Sequence, residues 1–323
     1  MADVALLSNG RSAGSQALLA GVRAYCASSG AIFHYEVDDL GQTEAALRVI
    51  ARVRPKVLVV NGGEQAVQSV LAGLVSDGAS ENGAFGDEMP PIAVLPIGRT
   101  NLIARDLGAE GDPIAVLKRI VEIARGDLSS HVVRRELIAL SAGRSNQPVF
   151  GMFAGAGGLA EAMLYCRDRL YPLGLPSRLC HFLTGCAALL SLVPMPGRLQ
   201  PVRPAPVRLT MQNDRRLEGS FQLLMVTTLE RMLASRNAGG GALKVMAVER
   251  RWMPMLRTAV DAMRGRLGAR NGGGVHLGRG AELSIEGEGS GVILDGALFR
   301  ASAGEPIVLR TTPALPFLSL AAA

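Results

Sequence analysis

Residues 57–74 read Val57-Leu58-Val59-Val60-Asn61-Gly62-Gly63-Glu64-Gln65-Ala66-Val67-Gln68-Ser69-Val70-Leu71-Ala72-Gly73-Leu74. Four consecutive apolar residues form a short buried strand, Asn61-Gly62-Gly63 forms a turn, and Val67, Val70, Leu71 and Leu74 recur at helical spacing. The stretch is therefore strand, glycine turn, helix. Upstream the same alternation runs back to the N-terminus: Val4–Leu7 as a strand, a helix over 14–27, Ile32–Tyr35 as a strand and a helix over 42–53. Strands alternating with helices of this length make a parallel α/β sheet. A glycine turn at the carboxyl end of such a strand is where open α/β folds bind phosphate, because backbone N–H groups and a helix N-terminus converge there. The same turn also serves as a plain tight connection, so the glycines alone do not decide between the two.

Downstream, 76–89 is small, polar and glycine-bearing and reads as a surface loop; Ile92–Leu95 is the next strand. From Pro96 the chain turns through Ile97-Gly98-Arg99-Thr100-Asn101 into helical stretches near 102–107 and 113–126, which gives a second glycine-bearing turn after a second strand. Beyond about residue 130 the pattern becomes β-type alternation, in 131–141, 148–154, 206–212, 220–228, 282–286 and 291–294, with helical insertions near 158–192 and 250–268. Two domains are expected: 1–129, to which a C-terminal tail 304–323 returns, and 130–303.

The composition sets bounds. With 323 residues, 48% hydrophobic and 19% charged, the chain is globular and long enough for two cores. The net charge of +6 is almost wholly arginine, since Lys56, Lys118 and Lys244 are the only lysines, and it favours anionic partners. Aromatic residues at 4% offer little surface for stacking bases, so nucleic acid is not expected as a partner. Four cysteines without a CxxC pair and four scattered histidines give no readable zinc site. The N-terminus shows no secretory signal, and the most apolar window, 179–193, is too short to span a bilayer, so a cytoplasmic protein associated peripherally with the inner membrane face is expected. Oligomeric state is not readable.

Four blocks carry a family resemblance. Asn61-Gly62-Gly63-Glu64-Gln65-Ala66 with its trailing helix resembles the GGDGT block of the diacylglycerol, sphingosine and ceramide kinases. Leu95-Pro96-Ile97-Gly98-Arg99-Thr100-Asn101-Leu102-Ile103-Ala104-Arg105 resembles their LPxGTxNDxAR block, which the related NAD kinases lack. Ser8-Asn9-Gly10-Arg11-Ser12-Ala13-Gly14 resembles the NPxSG nucleotide turn, and Leu294-Asp295-Gly296-Ala297 the DGE block. The resemblance implies an N-terminal ATP-binding α/β domain of NAD kinase/diacylglycerol kinase type, followed by a lipid-holding antiparallel β-sandwich. It also implies ATP and Mg²⁺ as cofactors, a diacylglycerol, ceramide or sphingoid base as lipid substrate, and an anionic membrane surface as partner. Asp295 would be the general base, with Asn9, Asn61, Gly62, Gly63, Glu64, Gly98, Arg99, Thr100 and Asn101 around the nucleotide.

The blocks also depart from the family. Its aspartate is Glu64, its next glycine Gln65, its threonine Ala66 and its helix glutamate Ser69; in the second block a threonine is Arg99 and an aspartate Leu102; the DGE glutamate is Ala297. Around 236–245 the family has a DG pair, where this chain has Asn237-Ala238-Gly239-Gly240-Gly241. Each site residue keeps a second reading. Asp295 also suits a hairpin turn, Asn9 and Asn101 suit turns or helix caps, Glu64 suits a first-turn acid, and Arg99 suits either a phosphate clamp or a solvated surface. The apolar segment 159–193 and Trp252-Met253-Pro254-Met255-Leu256 read either as membrane-facing walls or as core. A non-catalytic lipid-binding protein that kept the kinase fold is the alternative function.

Overall fold

The computed structural model describes residues 2–11, 13–78, 83–86, 88–98, 100–143, 148–170, 172, 206–211, 216–234, 241–287, 291–300 and 305–321. The chain forms two units, 1–137 with 312–323, and 138–311.

In the first unit, β1 (Val4–Asn9), β2 (Ile32–Val37), β3 (Val57–Asn61) and β4 (Ile92–Val94) are parallel. The last strand of the chain, β18 (Leu315–Leu318), pairs parallel with β4 and antiparallel with β5 (Val132–Arg135), giving the order β2-β1-β3-β4-β18-β5. The helices are α1 (Ala13–Ser28), α2 (Thr43–Val53), α3 (Glu64–Gly78), α4 (Leu102–Asp106) and α5 (Pro113–Arg125). Strand β3 is buried at every position, as expected where both faces of a parallel sheet are covered. Burying Leu58, Val59 and Val60 contributes about 1.5–3 kcal/mol per side chain. Helix α3 buries Ala66, Val67, Val70, Leu71 and Leu74, the face its sequence period predicts. In α5, Pro113 opens the first turn and the Asp112 carboxylate accepts from Ala115 N–H at 2.8 Å, a cap that fixes where the helix starts.

The second unit holds β6 (Ile138–Ala142), β7 (Val149–Gly151), β8 (Phe153–Ala156), β9 (Val207–Met211), β10 (Arg216–Gly219), β11 (Phe221–Thr227), β12 (Leu243–Glu249), β13 (Val275–Gly280), β14 (Glu282–Glu286), β15 (Gly291–Leu294), β16 (Ala297–Arg300) and β17 (Ile307–Thr311). They build two six-stranded antiparallel sheets, β10-β9-β14-β17-β6-β7 and β13-β12-β11-β8-β15-β16. Val207, Leu209 and Met211 of one sheet share a core with Leu243, Val245 and Ala247 of the other, so alternate residues of each strand point inward and the sheets pack face to face. The unit also contains α6 (Gly158–Tyr165), continued by a π-helical turn over 166–170, and α7 (Trp252–Met263).

The expected strand 131–141 is two strands, β5 and β6, one in each unit, divided at Glu136-Leu137. The expected strand 148–154 is broken at Met152, where the chain passes from one sheet to the other. Strands β10, β12, β13, β16, β17 and β18 were not foreseen as such. Most of the apolar segment 159–193 lies outside the described residues. Among those described, no helix is long and apolar enough to cross a membrane.

Candidate functional site

The first candidate site lies in the first unit, at the carboxyl ends of β1, β3 and β4. Ser8 on β1 is in register with Asn61 on β3 and with Glu36 on β2. Asn61 is fully buried and its Nδ2 donates to Ser8 Oγ at 2.8 Å. Ser8 Oγ also lies within hydrogen-bond distance of His34 Nε2, at 2.8 Å, and His34 Nδ1 lies 3.6 Å from Glu36 Oε1. Burial pushes the His34 pKa down; Glu36 opposes this and Arg23 adds to it, and the net shift is downward. Arg23 in turn holds Glu36 through two hydrogen bonds. A chain of polar groups thus runs from β2 to the glycine turn after β3 and fixes the Asn61 amide. In sequence Ser8 is marked only as the first residue of the block around Asn9, and His34 belongs to no motif.

At the end of β1, Asn9 Oδ1 accepts from Arg11 N–H at 3.0 Å, which shapes the first turn. Gly62 lies beside it: a Cβ on Gly62 would stand 3.6 Å from that of Asn9 and would collide with the Ala66 Cβ in the first turn of α3. Glycine is needed there for space. A Cβ on Gly63 would meet nothing within 4 Å, so open space lies above this turn. Gln65 is exposed.

Glu64 connects the two glycine turns. Its Oε1 accepts from Thr100 N–H at 3.0 Å and from Thr100 Oγ1–H at 2.9 Å. Burial would raise the Glu64 pKa, but the Thr100 N–H, its own N–H, the Thr100 hydroxyl and the Asn101 N–H together hold it below the ordinary carboxylate value. Gly98 lies under this carboxylate; a Cβ there would come within 2.7 Å of Glu64 Oε1 and 3.1 Å of Asn101 Oδ1. Asn101 adopts a left-handed conformation (φ 51°) as it enters α4, which asparagine tolerates better than most residues. Glu64, Gly98, Thr100 and Asn101 are therefore one hydrogen-bonded turn. Arg99, between them in sequence, lies outside the described residues.

In the second unit, Asp295 and Gly296 both have positive φ, 43° and 91°, and close the β15–β16 hairpin as a two-residue turn, the conformation that Asp-Gly favours. The Asp295 side chain does more than turn the chain. Its Oδ2 accepts from Met152 N–H at 2.9 Å and its Oδ1 from Phe153 N–H at 3.0 Å, while Asp295 N–H donates to Phe153 O at 2.9 Å. Met152 is where the chain changes sheets, and a corner of this kind takes N–H groups out of the ladder. The carboxylate satisfies them. Gly151 leaves it room, since a Cβ there would lie 2.5 Å from Oδ2.

Along the same end of this sheet, Phe153 is in register with Thr227, and Thr227 with Lys244. Thr227 Oγ1–H donates to Met152 O at 2.9 Å and the oxygen accepts from Leu229 N–H at 3.0 Å. Lys244 Nζ is buried and donates to Leu229 O and to the Glu230 carboxylate at 2.7 Å. Asp295, Thr227 and Lys244 form a row of buried polar side chains that the sequence signals only by a rare lysine inside an apolar strand. Gly239 and Gly240, with Asn237 and Ala238, lie outside the described residues. Among those described, no group of three His, Cys, Asp or Glu side chains is placed to hold a metal ion.

Residues 3–130 match the diacylglycerol kinase catalytic domain family, which bears out the motif resemblance over that segment. None of the curated proteins matches the chain. Its fold is that of a diacylglycerol kinase crystal structure from Bacillus anthracis str. Sterne, with 15% identity and a TM-score of 0.61 over 99% of this chain and 97% of that one. Two further structures from the same strain, described as candidate diacylglycerol kinases, share 16% identity over 96% of this chain and 94% of theirs, with TM-scores of 0.61 and 0.59. The expected fold, a parallel α/β domain followed by an antiparallel sandwich, is thus borne out across nearly the whole chain.

Proposed function

We propose that this protein is an ATP-dependent lipid kinase, which transfers the γ-phosphoryl group of ATP to the hydroxyl of a diacylglycerol, ceramide or sphingoid base. The observation that carries the reading is the Glu64 bond to Thr100, which holds two glycine turns together at the ends of adjacent parallel strands. Backbone-lined turns beside a helix N-terminus suit a polyphosphate, and the open space over Gly63 leaves room for one. Asn9, Asn61, Gly62, Gly63, Glu64, Gly98, Thr100 and Asn101 line this cradle in the proposal. Arg99 adds a guanidinium for phosphate, in place of acidic groups that the family uses and this chain lacks. When bound, ATP supplies the phosphoryl group and Mg²⁺ screens its charge. Mg²⁺ usually keeps several waters and takes one or two carboxylates plus phosphate oxygens, so Glu64 is the carboxylate of the cradle that would hold it.

Asp295 takes the proton from the lipid hydroxyl as its oxygen bonds to phosphorus and the bond to the ADP oxygen breaks. Its two oxygens accept from the Met152 and Phe153 N–H groups, which orients the carboxylate for that role. A protein acting on such substrates meets them at a membrane, on the cytoplasmic face and peripherally in this reading.

One observation favours the alternative of a non-catalytic lipid-binding protein: both carboxylates already serve the fold. The deciding experiment is transfer from labelled ATP with Mg²⁺ to diacylglycerol, ceramide and sphingosine in mixed micelles, with wild type, Asp295→Asn and Arg99→Ala. Labelled lipid from wild type, lost in Asp295→Asn while the variant still melts cooperatively, supports the kinase. No transfer to any lipid by a protein that binds vesicles supports the alternative. Undiminished nucleotide binding by Arg99→Ala removes Arg99 from the site.

A further inference from the structure

Helix α7 buries one side and exposes an apolar strip on the opposite one. Pro254, Met255, Thr258 and Asp261 are buried, and the helix packs on β12. At about 100° per residue, Trp252, Met253, Leu256, Met263 and the half-buried Val260 fall within an arc of about 100° facing away from that contact. Trp252 is 49% exposed, Met253 54%, Leu256 41% and Met263 81%. Among the described residues the only other exposed large hydrophobic is Val132. A surface helix ordinarily turns polar residues outward, and exposed apolar side chains that gather on one element mark a docking surface rather than chance.

Charge identifies what docks. Residues 249–270 contain Arg250, Arg251, Arg257, Arg264, Arg266 and Arg270 against only Glu249 and Asp261. Both acids are engaged internally: Glu249 Oε1 bonds His276 Nε2 at 3.0 Å and its Oε2 lies 3.5 Å from Arg251, while buried Asp261 pairs with Arg270 at 3.7 Å. An apolar strip bordered by arginines suits a surface with phosphates above hydrocarbon. Two copies of this face would bring their arginines together, which disfavours self-association. We propose that α7 seats the protein on an anionic phospholipid bilayer, lying in the interface plane with the Trp252–Met263 strip at the acyl boundary and the arginines at lipid phosphates. This deepens the lipid-kinase reading, and it rests on that reading only for placing the substrate in a membrane.

Trp252 is the only tryptophan in the chain, so its fluorescence reports this face alone. The full-length protein is titrated with phosphatidylcholine vesicles with and without phosphatidylglycerol, and flotation is followed in parallel. With anionic vesicles the emission should shift to the blue, be quenched by lipids brominated in their acyl chains, and weaken with salt. The double variant Met253→Glu/Leu256→Glu should lose about tenfold or more in partitioning. Flotation without a blue shift, no flotation, or a blue shift that grows with protein concentration in the absence of lipid would each overturn the proposal. Phosphate transfer to a short-chain, monomeric lipid needs no bilayer and should be unchanged in the double variant. If that transfer is absent from wild type while the lipid-induced shift persists, the kinase reading falls and the docking surface stands.

Discussion

The turn around Glu64 and the hairpin around Asp295 both use a carboxylate to gather backbone N–H groups, yet they constrain it differently. Glu64 reaches from the first turn of α3 across to another loop, on a side chain with two methylenes, and one of its donors is a rotatable hydroxyl. Asp295 is buried, has one methylene, sits in a left-handed turn, and its own N–H is tied to the residue whose N–H it accepts. The first arrangement keeps some freedom to respond to a ligand. The second holds its carboxylate in place whether or not one is present, which is what a group that must meet a hydroxyl in one orientation requires.

That contrast breaks most readily at Asp295. Asp295→Ala strands the Met152 and Phe153 donors inside the unit, and at about 1–3 kcal/mol for each buried donor left unsatisfied the second unit should lose about 2–6 kcal/mol. Urea unfolding followed by a probe in that unit checks it, and a loss under about 1 kcal/mol would mean the corner does not depend on the carboxylate. Next in size is Gly62→Ala, whose methyl meets the Ala66 Cβ. Overpacking of this kind should cost the first unit about 1–3 kcal/mol, seen as a lower melting temperature, with nucleotide binding weakened as the turn shifts.

Acid sharpens the comparison further. The folded-state pKa of Glu64 lies below its ordinary 4.5, so its contribution is complete above that value and is lost as pH falls through the lower folded-state pKa. Thermal melts from about pH 6 to pH 3 should show a steeper acid loss in wild type than in Glu64→Gln; equal slopes would remove the charge from the account. The smallest effect belongs to Thr100→Val, which deletes the hydroxyl donor and keeps the N–H. It should cost about 0.5–1 kcal/mol, and a larger loss would show the hydroxyl, rather than the backbone, to be the main tie to Glu64.

Legibility differed between the units for physical reasons. Strands β1, β3 and β4 are covered on both faces and appear as unbroken apolar runs, so the parallel sheet was readable. Strand β12 was not, because Lys244 interrupts its pattern and six of its seven residues are buried, which hides the alternation. Helix α7 was ambiguous in sequence, since Trp252-Met253-Pro254-Met255-Leu256 suits core and membrane equally; the structure divides it, burying Pro254 and Met255 and exposing the other three. In the candidate site, Asn61, Gly62, Gly63, Gly98 and Asp295 were visible as turn residues after strands; Ser8 was marked only as the first residue of the Asn9 block and Lys244 only as a rare lysine in an apolar run, while His34 and Thr227 carried no local mark.

The sequence by itself determined the alternation of strands, helices and glycine turns up to about residue 126, the Asp295-Gly296 hairpin and the basic character of the chain, because these follow from local backbone preference, apolar period and composition. Only the tertiary structure decided that Glu64 bonds a turn 36 residues away and that Asp295 bonds backbone 143 and 142 residues away. Such partners are set by which strands become neighbours and how far a side chain reaches between them. No local preference encodes that.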